Sequence, residues 1–205
     1  MATEASKARP RREAAGWFTK YFVGKGIDIG CGNDKVTPDC VGWDIADGDA
    51  QYLANVGDQS FDWVHSSHCL EHMVDPKVAL ENWWRVLKPN GYLIIGVPDE
   101  DLYEQGVWPS RFNGDHKTTW TIHKDKSWSR VSRNLKDMML DLPNLELELI
   151  HLADTNYRYN LSAKVVLSWT DSNGNYCEEE DNKQHVVGID QTCQRWNAEA
   201  MVEAV

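Results

Sequence analysis

Apolar stretches at residues 26–30, 41–45, 61–66 and 92–97 have the length of buried strands. The last is nearly continuous, as in a sheet covered on both faces. Between the third and fourth, Leu80, Trp83, Trp84 and Leu87 recur at helical spacing. Asp75-Pro76 supplies that helix with a cap and a first-turn proline, Lys88-Pro89 predicts its stop, and Asn90-Gly91 a turn. Trp17, Phe18, Tyr21 and Phe22 predict a helix over 13–24. Val131, Leu135, Met138, Met139 and Leu142 predict another over 127–142, followed by a strand at 145–152. Residues 99–125 are polar, aromatic and without period, long for a passive loop. Beyond about 153 the pattern predicts a strand at 164–169, a turn at 171–175 and an acidic loop tip at 177–181. A short strand at 186–189 and a helix over 193–205 complete it. Strands alternating with helices predict an α/β layered fold around a mostly parallel sheet.

Composition narrows the class. At 205 residues and 41% hydrophobic, the chain is long enough for one domain with a real core and too apolar for disorder. No apolar run approaches a membrane span. Five cysteines, an odd number without a C-x-x-C pair, argue against a disulfide framework or a zinc ribbon. With no apolar h-region at the N-terminus, the expected compartment is the cytoplasm. The net charge is −11, yet residues 1–25 carry +4 and read as a basic solvated tail leading into a short helix. The acidic remainder disfavours a nucleic-acid partner.

The main chemical signal is Asp28-Ile29-Gly30-Cys31-Gly32 directly after the first strand. Glycines there let the backbone turn sharply and let a ligand lie against it. A dinucleotide site wants a third glycine, where this chain has Lys35. It also wants an acid about 20 residues on. Here Asp44, at the end of the second strand, follows Gly32 by only 12. Asp44 suits acceptance from two ribose hydroxyls, and Asp49-Ala50 lies where an adenine edge can be read. Trp43 offers either an adenine cover or plain packing.

Further motifs follow in order: Gly42-Trp43-Asp44-Ile45, Asp49-Ala50-Gln51-Tyr52-Leu53, Ser60-Phe61-Asp62-Trp63-Val64, Ser66-Ser67-His68-Cys69-Leu70-Glu71-His72, and Arg85-Val86-Leu87-Lys88-Pro89-Asn90-Gly91. Together, over residues 24–100, they resemble the class I S-adenosylmethionine-dependent methyltransferases of the small-molecule or glycan type. The resemblance implies a Rossmann-like fold with helices on both faces, and S-adenosylmethionine as cofactor. It implies that Asp28, Gly30, Cys31 and Gly32 hold the methionine part. Asp44 would bind ribose, Ile45 would lie beside it in the cofactor site, Asp49 with Ala50 would contact adenine, and Ser66 and Ser67 would flank the sulfonium. The first crossover helix is shortened, since Pro38 interrupts the stretch before Cys40. Residues 101–205 are left to bind the acceptor and close the sheet.

His116, within Asp115-His116-Lys117, is the candidate general base, with Asp115 to orient it. Tyr103, Arg111 and His123 are candidate acceptor contacts, and Trp108, Trp120 and Trp128 suit a ringed acceptor such as a sugar. His65, inside an apolar strand, reads as structural. His68-x-x-Glu71-His72 fits the inverted zinc-peptidase spacing H-x-x-E-H, but it follows a strand end and offers no third ligand, so no metal is assigned. The resulting expectation is methyl transfer to a hydroxyl of a small molecule or sugar. A nitrogen, carbon or nucleic-acid acceptor, or a cofactor-binding scaffold without turnover, stands as the alternative.

Overall fold

The structure is a computed structural model that describes residues 4–154, 165–170, 176–181 and 201–204. Helices α1 (Glu4–Ala14) and α2 (Trp17–Lys20) precede strands β1 (Gly26–Ile29), β2 (Val41–Trp43) and β3 (Phe61–Ser67). A single 3-10 turn (Leu70–His72) leads to α3 (Pro76–Val86) and β4 (Leu87–Pro98). Then come β5 (Thr119–Thr121), β6 (Ser132–Asn134), α4 (Leu135–Leu140), β7 (Ile150–Ala153), β8 (Val165–Thr170), β9 (Tyr176–Asp181) and β10 (Met201–Ala204). No helix among the described residues is long and apolar enough to cross a membrane. Cys31, Cys40 and Cys69 are free thiols.

The main sheet runs β2-β1-β3-β4-β10-β7. Its first four strands are mutually parallel, and β10 pairs antiparallel with both β4 and β7. Alternation along the central strands sorts side chains to two faces. Ile27, Ile29, Val64, Leu93, Ile95 and Val97 pack with Leu80, Trp83 and Val86 of α3 and with Met139 of α4. On the other face Trp63 and Ile94 pack with Trp17, Tyr21 and Phe22. The α/β expectation is met, and Asp75 caps α3 by accepting from the N–H groups of Lys77 and Val78.

The first departure is at the N-terminus. The basic segment is helix α1, and helix over 13–24 is confined to the end of α1 and to α2. Residues 30–40, between β1 and β2, contain no helix. Instead α1 lies against that connection: Ser6 donates to the Asp34 carboxylate, and an Arg9 guanidinium N–H donates to the Val36 carbonyl at 2.9 Å. Ala8 and Arg12 are fully buried. The basic side chains are therefore not a solvated tail; one of them is a core residue.

Three other segments differ from their expected state. Residues 127–134 are not helical because Glu100, fully buried, holds them as a loop leading into β6: its carboxylate accepts from the hydroxyls of Ser127 and Ser132 at 2.8 and 2.6 Å. The helix starts only where Asn134 caps it by accepting from Asp137 N–H. The acidic run 177–181 lies in β9, paired with β8, since an antiparallel ladder needs only backbone groups. Residues 201–204 are strand, not helix, because β4 and β7 offer backbone partners on both sides. The strand expected at 145–152 shrinks to β7, and β4 begins before Asn90-Gly91, with a register shift opposite residues 61–63. The turn at 171–175, the strand at 186–189 and residues 193–200 lie outside the described residues.

Candidate functional site

The parallel strands deliver their following loops to one rim. Strand order reverses at β1, with β2 on one side and β3 on the other, so the crevice beyond β1 and β3 is a topological switch point, where open α/β sheets bind ligands. Gly30 and Gly32 occupy it at φ +75° and +53°, a region only glycine enters cheaply. Gly30 is also hemmed in: a Cβ there would meet the Cys69 side chain at 2.6 Å. Gly32 is exposed, and a Cβ there would make only ordinary contact, its nearest atom being Asp44 Oδ2 at 3.8 Å.

Asp44 follows β2 and faces this loop. Its Oδ2 accepts from Gly32 N–H at 2.6 Å and its Oδ1 from Ile45 N–H at 2.7 Å. Each oxygen keeps a further lone pair. Ile45 beside it is 93% exposed, an apolar side chain with nothing yet covering it. Asp49 accepts from Gln51 N–H, and Trp83 of α3 donates its indole N–H to the Ala50 carbonyl at 2.8 Å, so the core fixes the Asp49-Ala50 step. Trp43 donates its indole N–H to the Gly48 carbonyl at 3.2 Å, closing the turn between them. The exposed glycine backbone, the acid beside it and the uncovered apolar side chain fit the ribose and adenine of a nucleoside cofactor.

Asp28 lies beneath the loop, not on its surface. It is 2% exposed and accepts from Val36 N–H at 2.6 Å and from His65 Nδ1 at 2.6 Å. The other His65 nitrogen, Nε2, is 3.0 Å from the Arg12 guanidinium. Arginine only donates, so Nε2 accepts and Nδ1 carries the proton toward Asp28. His65 is thus a structural residue, but as one link of a buried Arg12–His65–Asp28 chain. Cys31, half-buried, donates to the Gly32 carbonyl, and burial followed by Asp28 raises its thiol above the ordinary value. Burial pushes the Cys69 thiol up to about 12, so it is inert packing. Ser66 donates to the Ile29 carbonyl at 3.1 Å, and Ser67 has a buried hydroxyl without a partner among the described residues.

The loops after β3 and β4 build a second constellation. Backbone N–H groups of Lys117 and Thr118 donate to the Glu71 carbonyl, which sets His116 over the turn at Leu70–His72. His116 is buried, and its Nδ1 meets Glu104 Oε1 at 2.6 Å. Glu104, not Asp115, therefore orients it. Asp115 instead holds His72, with Oδ2 2.9 Å from Nδ1. Glu71 is fully buried, and neither carboxylate oxygen has a hydrogen-bond partner among the described residues. Its Oε1 lies 3.5 Å from His68 Nδ1, 3.9 Å from His72 Nε2 and 3.8 Å from His116 Nε2. Burial alone would raise Glu71, but the imidazoles, His68 first, outweigh it and hold the carboxyl below its ordinary range. Burial likewise opposes charge on His68, and Glu71 and Glu4 prevail, raising it.

Of the candidate acceptor contacts, Tyr103 joins this cluster, stacked on His116 with ring centroids 5.4 Å apart. Arg111 is exposed on the same loop. His123 is exposed, and no contact among the described residues joins its ring to His116. Trp120 is a fully buried core residue and not part of an acceptor wall, whereas Trp108 is half-buried and Trp128 is 38% exposed. Glu71 and His72 carried a sequence signal in the resemblance motif and in the H-x-x-E-H spacing; the α-helix that spacing requires is absent. Arg12, Glu100 and Glu104 carried no signal.

Residues 33–95 match the methyltransferase domain family. No curated protein sequence matches the chain. Among solved structures it is similar to a methyltransferase, possible histamine N-methyltransferase, of Thermotoga maritima: 19% identity over 96% of this chain and 95% of that one, TM-score 0.47. It is also similar to a methyltransferase of Archaeoglobus fulgidus: 16% identity over 97% and 92% of the two chains, TM-score 0.48. The sheet, parallel except for β10, is the Rossmann-like sheet of the class I methyltransferase fold.

Proposed function

We propose that this chain is an S-adenosylmethionine-dependent methyltransferase that delivers the methyl group to a hydroxyl of a small molecule or sugar. The observation that carries the reading is the pairing of an open glycine loop with the Asp44 carboxylate at the switch point of a parallel sheet. The bound cofactor supplies an activated methyl group on a sulfonium. The backbone at Gly30, Cys31 and Gly32 would receive its methionine part, Asp44 its ribose hydroxyls, and Ile45, Asp49 and Ala50 its adenine. Ser66 and Ser67 end the neighbouring strand β3 and would flank the reactive centre.

A hydroxyl acceptor must be aligned and must lose a proton as its bond forms. The rim supports both needs. Tyr103 and Phe112, rings with centroids 5.7 Å apart, offer apolar surface to a ringed acceptor, with Arg111 and His123 on the same stretch of chain. His116, buried on this rim with Nε2 3.8 Å from Glu71 Oε1, would take the proton. The test is calorimetric titration with S-adenosylmethionine and with its demethylated product, followed by labelled-methyl transfer to a panel of sugars, polyols and amines. Binding with transfer to a hydroxyl is expected. Failure to bind either cofactor form would reject the reading, and transfer to amines alone would replace its acceptor class.

A further inference from the structure

The second constellation contains more than a proton acceptor. Glu71, His72 and His116 each offer one atom to a common point, all within 4.8 Å of one another. Both histidines present Nε2 to the same oxygen, Glu71 Oε1, at 3.9 and 3.8 Å. Their other nitrogens are held by carboxylates, Asp115 on His72 and Glu104 on His116. Those carboxylates orient each ring through Nδ1, so that Nε2 is the atom facing Glu71. Three potential ligand atoms therefore converge, and at 3.9 and 3.8 Å neither Nε2 is within hydrogen-bond distance of the carboxylate.

We propose that Glu71, His72 and His116 bind a divalent transition-metal ion of the zinc class, with Glu104 and Asp115 as the outer carboxylates that orient the two histidines. Two histidines and one glutamate form a three-ligand set that zinc accepts with an open position. Around a tetrahedral ion at zinc bond lengths, donors lie about 3.3 Å apart, so a modest inward movement of these side chains closes the site. Glu71 supplies the independent sign: a fully buried carboxylate facing the cluster, neither of whose oxygens has a hydrogen-bond partner among the described residues. His68 stands outside the triangle, its Nε2 turned to Glu4 Oε2 at 3.7 Å. An ion held there would have a position left for an oxygen ligand, the class of acceptor proposed above. Only that last role rests on the methyl-transfer reading; metal binding does not.

The test loads the full chain with Zn²⁺, removes excess by desalting, and counts zinc per chain by elemental analysis, with Co²⁺ as a spectroscopic substitute. One metal per chain and visible Co²⁺ bands of low coordination number are expected. Glu71→Gln and His116→Ala should abolish both. Glu104→Gln, which leaves the ligands in place, should weaken affinity about 10–100-fold. His123→Ala, an exposed histidine outside the cluster, should leave the zinc count and the Co²⁺ bands unchanged. Cofactor titration of each variant reports whether it is folded. Retention of less than about one zinc per ten chains by the unmodified protein, with a hydrated Co²⁺ spectrum, would overturn the proposal. So would folded Glu71→Gln and Glu104→Gln variants that keep the original affinity. Metal without cofactor binding would leave this inference standing and remove the methyltransferase; cofactor binding without metal would do the reverse.

Discussion

Replacing Arg12 by methionine is expected to cost about 3–5 kcal/mol of folding stability, although the residue lies in a helix rich in surface charge. Arg12 and His65 are fully buried and Asp28 is 2% exposed. Contacts of 3.0 and 2.6 Å across one imidazole join the guanidinium to the carboxylate. That places the two charges about 7 Å apart, worth about 2 kcal/mol at an effective dielectric of 20. Methionine also leaves His65 Nε2 as a buried acceptor without a donor, about 1–3 kcal/mol more. The stacking of Arg12 over the Trp17 ring, 5.5 Å from its centroid, is lost as well.

A double-mutant cycle separates the chain from the packing. Asp28→Asn removes the charge but keeps an acceptor for Val36 N–H. In that background Arg12→Met should cost about 2 kcal/mol less, because no stranded carboxylate remains. The Trp17 contact is lost in both backgrounds and cancels. Urea unfolding at neutral pH, followed by far-UV circular dichroism and compared at equal m-values, reads all four corners. A single-variant cost below about 1 kcal/mol, or additivity within about 0.5 kcal/mol, would refute the claim that α1 neutralises the acid under the glycine loop.

Asp44→Ala should weaken S-adenosylmethionine binding at least about tenfold by calorimetry, because a charged acceptor for hydroxyls is lost; unchanged affinity would remove Asp44 from the cofactor site. His116→Ala should lower methyl transfer while leaving cofactor affinity intact, and normal turnover would take it out of the chemistry. Gly30→Ala should destabilise the chain by about 1–3 kcal/mol in the same unfolding assay, since φ is +75° and the new methyl meets Cys69 at 2.6 Å. Asp99 is pushed up to about 6 from 3.8, mainly by burial, with Asp101 adding to the rise and Lys124 opposing it. The folded state thus holds a proton that the unfolded chain has released, so stability falls as pH rises through that interval and stays lower above it, by about 2–3 kcal/mol. Asp99→Asn, which keeps an acceptor for the Asp101 and Leu102 N–H groups, should recover that loss at pH 7 and nothing below pH ~4; a gain equal at both pH values would refute it.

The parts of this molecule legible in sequence are those whose physics is local. The strands β1 to β3 and helix α3 announce themselves by short apolar runs, a cap and a proline, all within a few residues of the element they shape. The glycine loop and Asp44 are likewise separated by only 12 residues, and the close Gly32 to Asp44 contact follows from two adjacent parallel strands. What the sequence hid depends on partners far along the chain. Nothing near Arg12 shows that His65, 53 residues away, waits for it. Nothing near Ser127 or Ser132 shows that Glu100 bends them out of a helix.

The cluster proposed to bind metal shows how a motif legible by spacing can sit on a different scaffold. His68, Glu71 and His72 were legible by spacing, and that spacing on a helix would put the two histidines on one face. The chain after β3 makes only a single 3-10 turn, and His68 sits before it at φ +53°. The pairing changes accordingly: His68 turns toward Glu4, while His72 keeps company with His116 from the next loop, 44 residues on. The third ligand was therefore never within reach of a local pattern. It is supplied by the long stretch after β4, whose lack of period was itself the signal. A segment that buries Glu100, Glu104 and His116 forgoes apolar periodicity because its interior is held by polar contacts. In a chain like this one, an aperiodic loop rich in buried acids and histidines is where function concentrates, and the periodic elements serve to hold it over the rim.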